Sequence, residues 1–172
     1  LSYVQADAML AGITLDTKNF AVKTGVRTFE AAAYLRRRGA NTLTVKGMFS
    51  DNIETYREKV DIVCKAHVYR GCAISIAPSG DGDIRLASAQ AADEMLNLKG
   101  VDASFVLFED NNQINISARS YGNVNVQIIM EKLGGGGHQT MAATQLKNTT
   151  KELAYQQLLS EIDNTLDDEE NS

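Results

Sequence analysis

Tryptophan is absent from this sequence, and aromatic residues make up 6% of its 172 positions. A surface that stacks single-stranded bases combines basic and aromatic side chains, so the composition does not favour that kind of binder. Cysteine is scarce as well. Cys64 and Cys72 form no CxxC pair, which excludes a cysteine-type zinc site and fits a reducing compartment. Each reads most simply as a small buried apolar residue. With two histidines, His67 and His138, a histidine-rich metal cluster is excluded. No apolar run approaches the ~20 residues that span a bilayer. No basic start followed by an apolar core marks a signal peptide. The first residue is Leu1 and not methionine, so a piece of a longer chain is expected.

What is present is the composition of an ordinary globular protein, 44% hydrophobic and 23% charged. The length allows one domain or a domain plus a fragment. The net charge of −5 is unevenly spread. Glu161, Asp163, Asp167, Asp168, Glu169 and Glu170 lie near the end with no base among them. Taking these six from the 22 acids leaves 16 against 17 bases. A nearly neutral body argues against wide non-specific binding to duplex nucleic acid. It leaves room for a small pocket that takes one or two phosphates. The acidic end, 167–172, is expected as a disordered tail.

The chain centres on Leu133-Gly134-Gly135-Gly136-Gly137-His138. Four glycines remove every Cβ, permit φ > 0 and let a ligand approach the amides. Exposed N–H groups in such a turn form a nest for phosphate or carboxylate, and His138 adds a ring that donates to an anion or binds a metal. A helix C-cap followed by a slack linker is the plainer reading.

Around this stretch the pattern alternates between strands and helices. Helices are expected at 2–12, ended by Gly12, and from Thr28 as N-cap to Arg36-Arg37-Arg38-Gly39. A polar loop runs from Ile13 to Phe20, 42–48 reads as a short extended link, and a third helix covers 51–66. Strands follow at 72–77 and 103–108, the second forming a hairpin with 113–119. In that last strand Ile114 and Ile116 share one face, Asn115 and Ser117 the other. Turn chemistry occupies Pro78 to Asp83, and a helix covers 88–98. Asn123 is expected to cap a helix over 124–133. A strand over 141–146 and a last helix, opened by a Thr149/Glu152 capping box, complete an α/β chain with a small mixed sheet flanked by helices and preceded by helices of another domain.

Two further places could carry chemistry. In Ser117-Ala118-Arg119-Ser120, an arginine flanked by hydroxyls suits charge-assisted contact with a phosphate; a surface ion pair is the alternative. Asp16, in a loop with Thr17, Lys18 and Asn19, could bind a metal such as Mn²⁺, or simply make a turn. One carboxylate alone makes no catalytic site.

The glycine run with Ser117-Ala118-Arg119-Ser120 upstream resembles the C-terminal substrate-binding domain of the DHH phosphoesterases, a family named for an Asp-His-His metal motif. Met9-Leu10-Ala11-Gly12-Ile13-Thr14-Leu15-Asp16-Thr17-Lys18-Asn19-Phe20 and Thr24-Gly25-Val26-Arg27-Thr28-Phe29 look like the end of that family's catalytic domain. The likeness is strongest to the membrane-anchored bacterial phosphodiesterases that hydrolyse cyclic di-AMP, and it covers nearly everything but the acidic tail. Members that trim short RNA usually keep the aspartate but differ around Lys18 and Asn19.

The resemblance implies 1–48 as the remnant of a DHH catalytic domain, 49–68 as a connector helix and 69–166 as the substrate-binding domain. It implies a two-Mn²⁺ hydrolase that opens cyclic di-AMP to linear pApA, with metal-bound water attacking phosphorus. Asp16 matches the last metal-ligand aspartate. Arg119, His138 and Gly134, Gly135, Gly136 and Gly137 match the groups that hold the substrate, with Ser117 and Asn123 as helpers. It also implies a parent anchored on the cytoplasmic side of the membrane, while this soluble piece makes no membrane contact. Its partners would be a cyclic dinucleotide or short oligonucleotide and the rest of the DHH domain, with a homodimer left open. The Asp-His-His motif and the earlier aspartates are absent here, so the catalytic set is incomplete and the chain alone is expected to be inactive. The alternatives are an oligoribonuclease or single-strand exonuclease of the same superfamily, a non-catalytic RNA-binding module, and a dimerisation domain with a glycine hinge.

Overall fold

The computed structural model describes residues 1–78 and 83–170, so most of the turn read at Pro78 to Asp83 lies outside the described residues. The chain divides into two compact units, Leu1–Asp51 and Asn52–Ser172. Among the described residues no helix is long and apolar enough to cross a membrane.

The first unit holds three helices around Ala6, Leu10, Leu35, Ala40 and Val45. Helix α1 (Tyr3–Asp16) opens with a reciprocal capping box between Ser2 and Gln5. It does not stop at Gly12, as expected, but runs on to Asp16. One glycine costs a helix about 1 kcal/mol, too little to end one anchored by buried Ala6 and Leu10. Helix α2 (Val26–Arg37) is capped by Gly25 and not by Thr28, whose hydroxyl accepts from the Gly25 N–H as the third helical residue. The stretch read as an extended link is helix α3 (Thr42–Gly47), because the Asn41 side chain accepts from the N–H groups of Leu43 and Thr44.

Between α1 and α2 the backbone turns through Lys18, Asn19 and Phe20 with φ of 45°, 56° and 65°. Left-handed residues other than glycine are costly one by one, and Thr17 holds these in place. Its hydroxyl donates to the Ile13 carbonyl at 2.7 Å and accepts from the Phe20 N–H at 2.9 Å. The Phe20 ring stacks on Phe29 at 5.4 Å.

The second unit is a six-stranded mixed sheet flanked by helices. Its elements in chain order are α4 (Ile53–Cys64), β1 (His67–Tyr69), β2 (Cys72–Ile76), α5 (Ile84–Met95), β3 (Ala103–Asp110), β4 (Gln113–Ser120), α6 (Val126–Lys132), β5 (Gly136–His138), β6 (Met141–Leu146) and α7 (Lys151–Glu170). The strand order is β1-β2-β3-β4-β6-β5. Strands β2 and β3 are parallel, with α5 as crossover, and every other pair is antiparallel. The helix expected as a connector over 49–68 packs into this unit through fully buried Ile62.

Period-two alternation divides the sheet residues between two cores. Cys72, Ile74, Phe105, Leu107, Ile116 and Ala118 join Ile129, Met130, Leu158 and Ile162 of α6 and α7. Ala73, Val106 and Phe108 join Ala87, Ala91, Ala92 and Met95 of α5. Buried serines lock the second layer: Ser75 Oγ donates to the Ile62 carbonyl at 2.7 Å and Ser104 Oγ to the Ala92 carbonyl at 2.6 Å.

The acidic end is helical through Glu170 where a disordered tail is expected. Distant cations offset its charge: Arg70 pairs with Asp163 at 3.0 Å and Asp167 at 2.8 Å, and Lys132 lies 4.0 Å from Glu161 and Asp168. The helix is capped by Thr150, whose hydroxyl accepts from the Leu153 N–H, one residue later than expected.

Candidate functional site

Strand β4 alternates Ile114, Ile116 and Ala118 toward α6 and α7 with Asn115, Ser117 and Arg119 toward the other face. On that other face α5 packs over β3 and β4, and α4 over β2. Farther across, the same face of β6 is open, with Met141, Ala143 and Gln145 exposed. Directly opposed residues of antiparallel strands share a face. Two rows therefore cross the border of the helical cover. One runs Ser104, Arg119, Met141, His138; the other runs Val106, Ser117, Ala143, Gly136. Arg119, His138, Ser117 and Gly136 thus belong to one face. Arg119 and His138 are two strands apart, roughly 10 Å between backbones, with half-exposed Met141 between them.

Arg119 is 8% exposed, not the surface arginine of a rim ion pair. Its Nη1 donates to the Ala118 carbonyl at 2.9 Å and to Ser117 Oγ at 3.4 Å; its Nε donates to Asp93 of α5 at 3.4 Å. Nη2 makes no hydrogen bond to the described residues. His138 is exposed and likewise makes none.

The glycine run is not one loop with one purpose. Gly134, at φ +79°, closes α6: its N–H donates to the Glu131 carbonyl at 2.9 Å, and the Gly135 N–H to the Met130 carbonyl at 2.8 Å. That is the Schellman pattern, so the C-cap reading holds for this residue. Gly135 and Gly137 lie flat against β6. A Cβ would stand 2.2 Å from the Ala143 carbonyl oxygen at Gly135, and 2.4 Å from that of Met141 at Gly137. The expected open turn is instead the entry to edge strand β5. Gly136 differs from its neighbours: a Cβ there would meet nothing within 4 Å, on the face that carries Arg119.

Asn123 does not cap α6. The cap is Asn125, whose side chain accepts from the Gln127 N–H at 3.1 Å, and the Asn123 amide donates at 2.9 Å to Asp102, the residue just before β3. Gln139, which sequence reasoning missed, ties the glycine strand to the end of β4. Its carbonyl accepts from Ser120 Oγ at 3.2 Å and from the Val126 N–H at 3.1 Å, and its amide donates to the Gly122 carbonyl at 3.1 Å. Asp93 and Met141 were missed too. Helical periodicity sets Asp93 four residues before Asn97, and these two meet Arg119 and Tyr121 of the β4 segment, but only the register reveals it.

Asp16 belongs to the first unit, as the exposed last residue of α1. Among the described residues no three His, Cys, Asp or Glu side chains cluster to hold a metal ion. The donor set among the described residues therefore does not fit a two-metal centre.

The chain is 48% identical over 162 residues to the cyclic-di-AMP phosphodiesterase PdeA of Listeria monocytogenes, covering 93% of this chain and 25% of that protein. It is 42% identical over 167 residues to the cyclic-di-AMP phosphodiesterase GdpP of Bacillus subtilis, covering 95% and 25%. It thus spans about a quarter of the length of these relatives. It shares its fold with an exopolyphosphatase-related protein from Bacteroides fragilis, at a TM-score of 0.79 and 19% identity over 97% of this chain and 51% of that one. Residues 71–168, which take in β2 through most of α7, match the DHHA1 domain, and the chain belongs to that family.

Proposed function

We propose that this chain is the nucleotide-binding part of a metal-dependent phosphodiesterase that opens cyclic di-AMP to linear pApA. The observation that carries the reading is a buried arginine whose Nη2 makes no bond to the described residues, on the sheet face that opens beyond it at exposed His138 and the unobstructed backbone of Gly136. A phosphate over Met141 would take charge-assisted hydrogen bonds from the guanidinium, with the imidazole on its far side. Ser117 steadies the guanidinium, and the thioether between the two groups offers an apolar surface to a base. The names of the relatives supply the substrate.

In this reading Asp16 is one ligand of a Mn²⁺ pair whose other ligands lie outside this sequence, in a parent held at the membrane. The chain alone is then inactive. Asn123 serves the fold at Asp102 in place of the substrate.

The test is titration of this chain with cyclic di-AMP and pApA, followed by amide NMR. Shifts centred on Gly136, His138, Met141 and the Arg119 side chain are expected, and shifts confined to other surfaces would overturn the reading. Cleavage of cyclic di-AMP against a linear dinucleotide by the longer protein separates this activity from an oligoribonuclease.

A further inference from the structure

We propose that Asp93 makes the anion position on Arg119 selective for a phosphodiester over a phosphomonoester, an inference that rests on the nucleotide-binding reading. A guanidinium as buried as that of Arg119, with its side chain 10% exposed, needs a counter-charge. Asp93 supplies it from α5 at Nε, with its own side chain 43% exposed. The Ser104 hydroxyl, bonded to the carbonyl of the preceding residue Ala92, fixes this turn of the helix on the sheet.

The guanidinium is therefore already neutralised on one edge before any ligand arrives. Nη1 is taken up by Ala118 and Ser117, and Nη2 is the donor left for a phosphate. A phosphodiester brings one negative charge to that donor. A phosphomonoester brings about 1.5 to 2 at pH 7. The additional charge gains little from the shared arginine and is repelled by Asp93. The residues in the two rows that cross this face include no lysine and no second arginine to balance it.

Hydrolysis of a diester adds water across one P–O bond, leaving an alcohol and a monoester. Asp93 would thus hold substrate in preference to a product end at the same position, and would hasten product release. Coulomb's law for an extra charge about 5 Å from a half-exposed carboxylate gives a discrimination of roughly tenfold.

The test uses two ligands that differ only in the terminal monoester, pApA and ApA, titrated into this chain and into its Asp93→Asn, Asp93→Ser and Asp93→Glu variants. The neutral variants are expected to tighten pApA roughly tenfold more than ApA, while Asp93→Glu keeps the original preference. An equal change for both ligands, or none, overturns the selectivity while leaving nucleotide binding intact. If the unaltered chain takes up neither ligand, nucleotide binding falls, and the selectivity with it. Two neutral side chains of different size keep the outcome readable should one of them perturb α5.

Discussion

Replacing Gly135 by alanine would drive a methyl group into the main chain of β6. The new Cβ would stand 2.2 Å from the Ala143 carbonyl oxygen, 2.7 Å from Thr144 Cα and 2.6 Å from Thr144 Cβ, distances that real Cβ atoms essentially never show. Two of these three obstacles are backbone, so relief requires β5 to move away from β6. That movement strains the pairing of Gly136 with Ala143 and the 2.8 Å bond from the Gly135 N–H to the Met130 carbonyl. Overpacking costs about 1–3 kcal/mol, and each lost hydrogen bond about 1 kcal/mol. Gly135→Ala should therefore lose about 2–4 kcal/mol. Gly136→Ala is the control, because its Cβ meets nothing within 4 Å. It should keep its stability or gain up to about 1 kcal/mol from a less flexible unfolded chain. It should still weaken nucleotide binding about tenfold or more, an effect of about 1.4 kcal/mol, since the methyl stands where the ligand approaches. Urea unfolding by circular dichroism measures the first effect and calorimetric titration with cyclic di-AMP the second. Equal stability of the two variants, or full affinity in Gly136→Ala, would refute the reasoning.

Arg119→Lys keeps the charge and loses the planar fork, and should weaken cyclic di-AMP binding at least about tenfold. His138→Ala removes an exposed ring with no hydrogen bond, so its melting should stay within about 0.5 kcal/mol of the parent while affinity falls; both are read by calorimetry. Thr17→Val removes the two bonds that pin the left-handed turn, and should lower the protection of the 13–22 amides in hydrogen exchange by about 1–3 kcal/mol. Burial pushes the Cys72 thiol up to about 12, with nearby Asp102 adding to it, while Cys64 is exposed. A thiol reagent should count one cysteine in the native chain and two in denaturant. Because the folded value is raised, the contribution of Cys72 to stability is complete below about pH 8.5 and declines as pH rises toward 12, which alkaline unfolding curves would register.

The hairpin strand was readable from its residues, because apolar and polar side chains alternate over 114–119, although the polar set turns out to be buried like the apolar one. The glycine run stands out in the sequence because four successive residues lack a Cβ. A string of missing Cβ atoms does not reveal which neighbour presses on it, and here that neighbour is β6, which comes later in the chain. Helix ends moved by a turn or less where local chemistry offered two choices: Gly25 over Thr28, Asn125 over Asn123, Thr150 over Thr149. The acidic end misled because its cations, Arg70 and Lys132, are remote in sequence. Asp93 gave no signal of its own, since only the packing of α5 beside β4 turns an ordinary helical carboxylate into the partner of Arg119.

The attachment of α7 to β1 has a consequence for how the second unit is made. His67 Nε2 lies 2.7 Å from the Tyr155 hydroxyl, the Tyr69 hydroxyl donates to Asp163 at 2.9 Å, and these partners are 88 and 94 residues apart. During synthesis the strand that emerges first must wait for nearly the whole unit before it meets its tether. Ribosomes adding about 5–20 residues per second impose a delay of several seconds, during which β1 has only its hairpin partner β2. A message truncated before Tyr155 would leave that strand untethered, with the damage appearing at the opposite end of the unit from the cut.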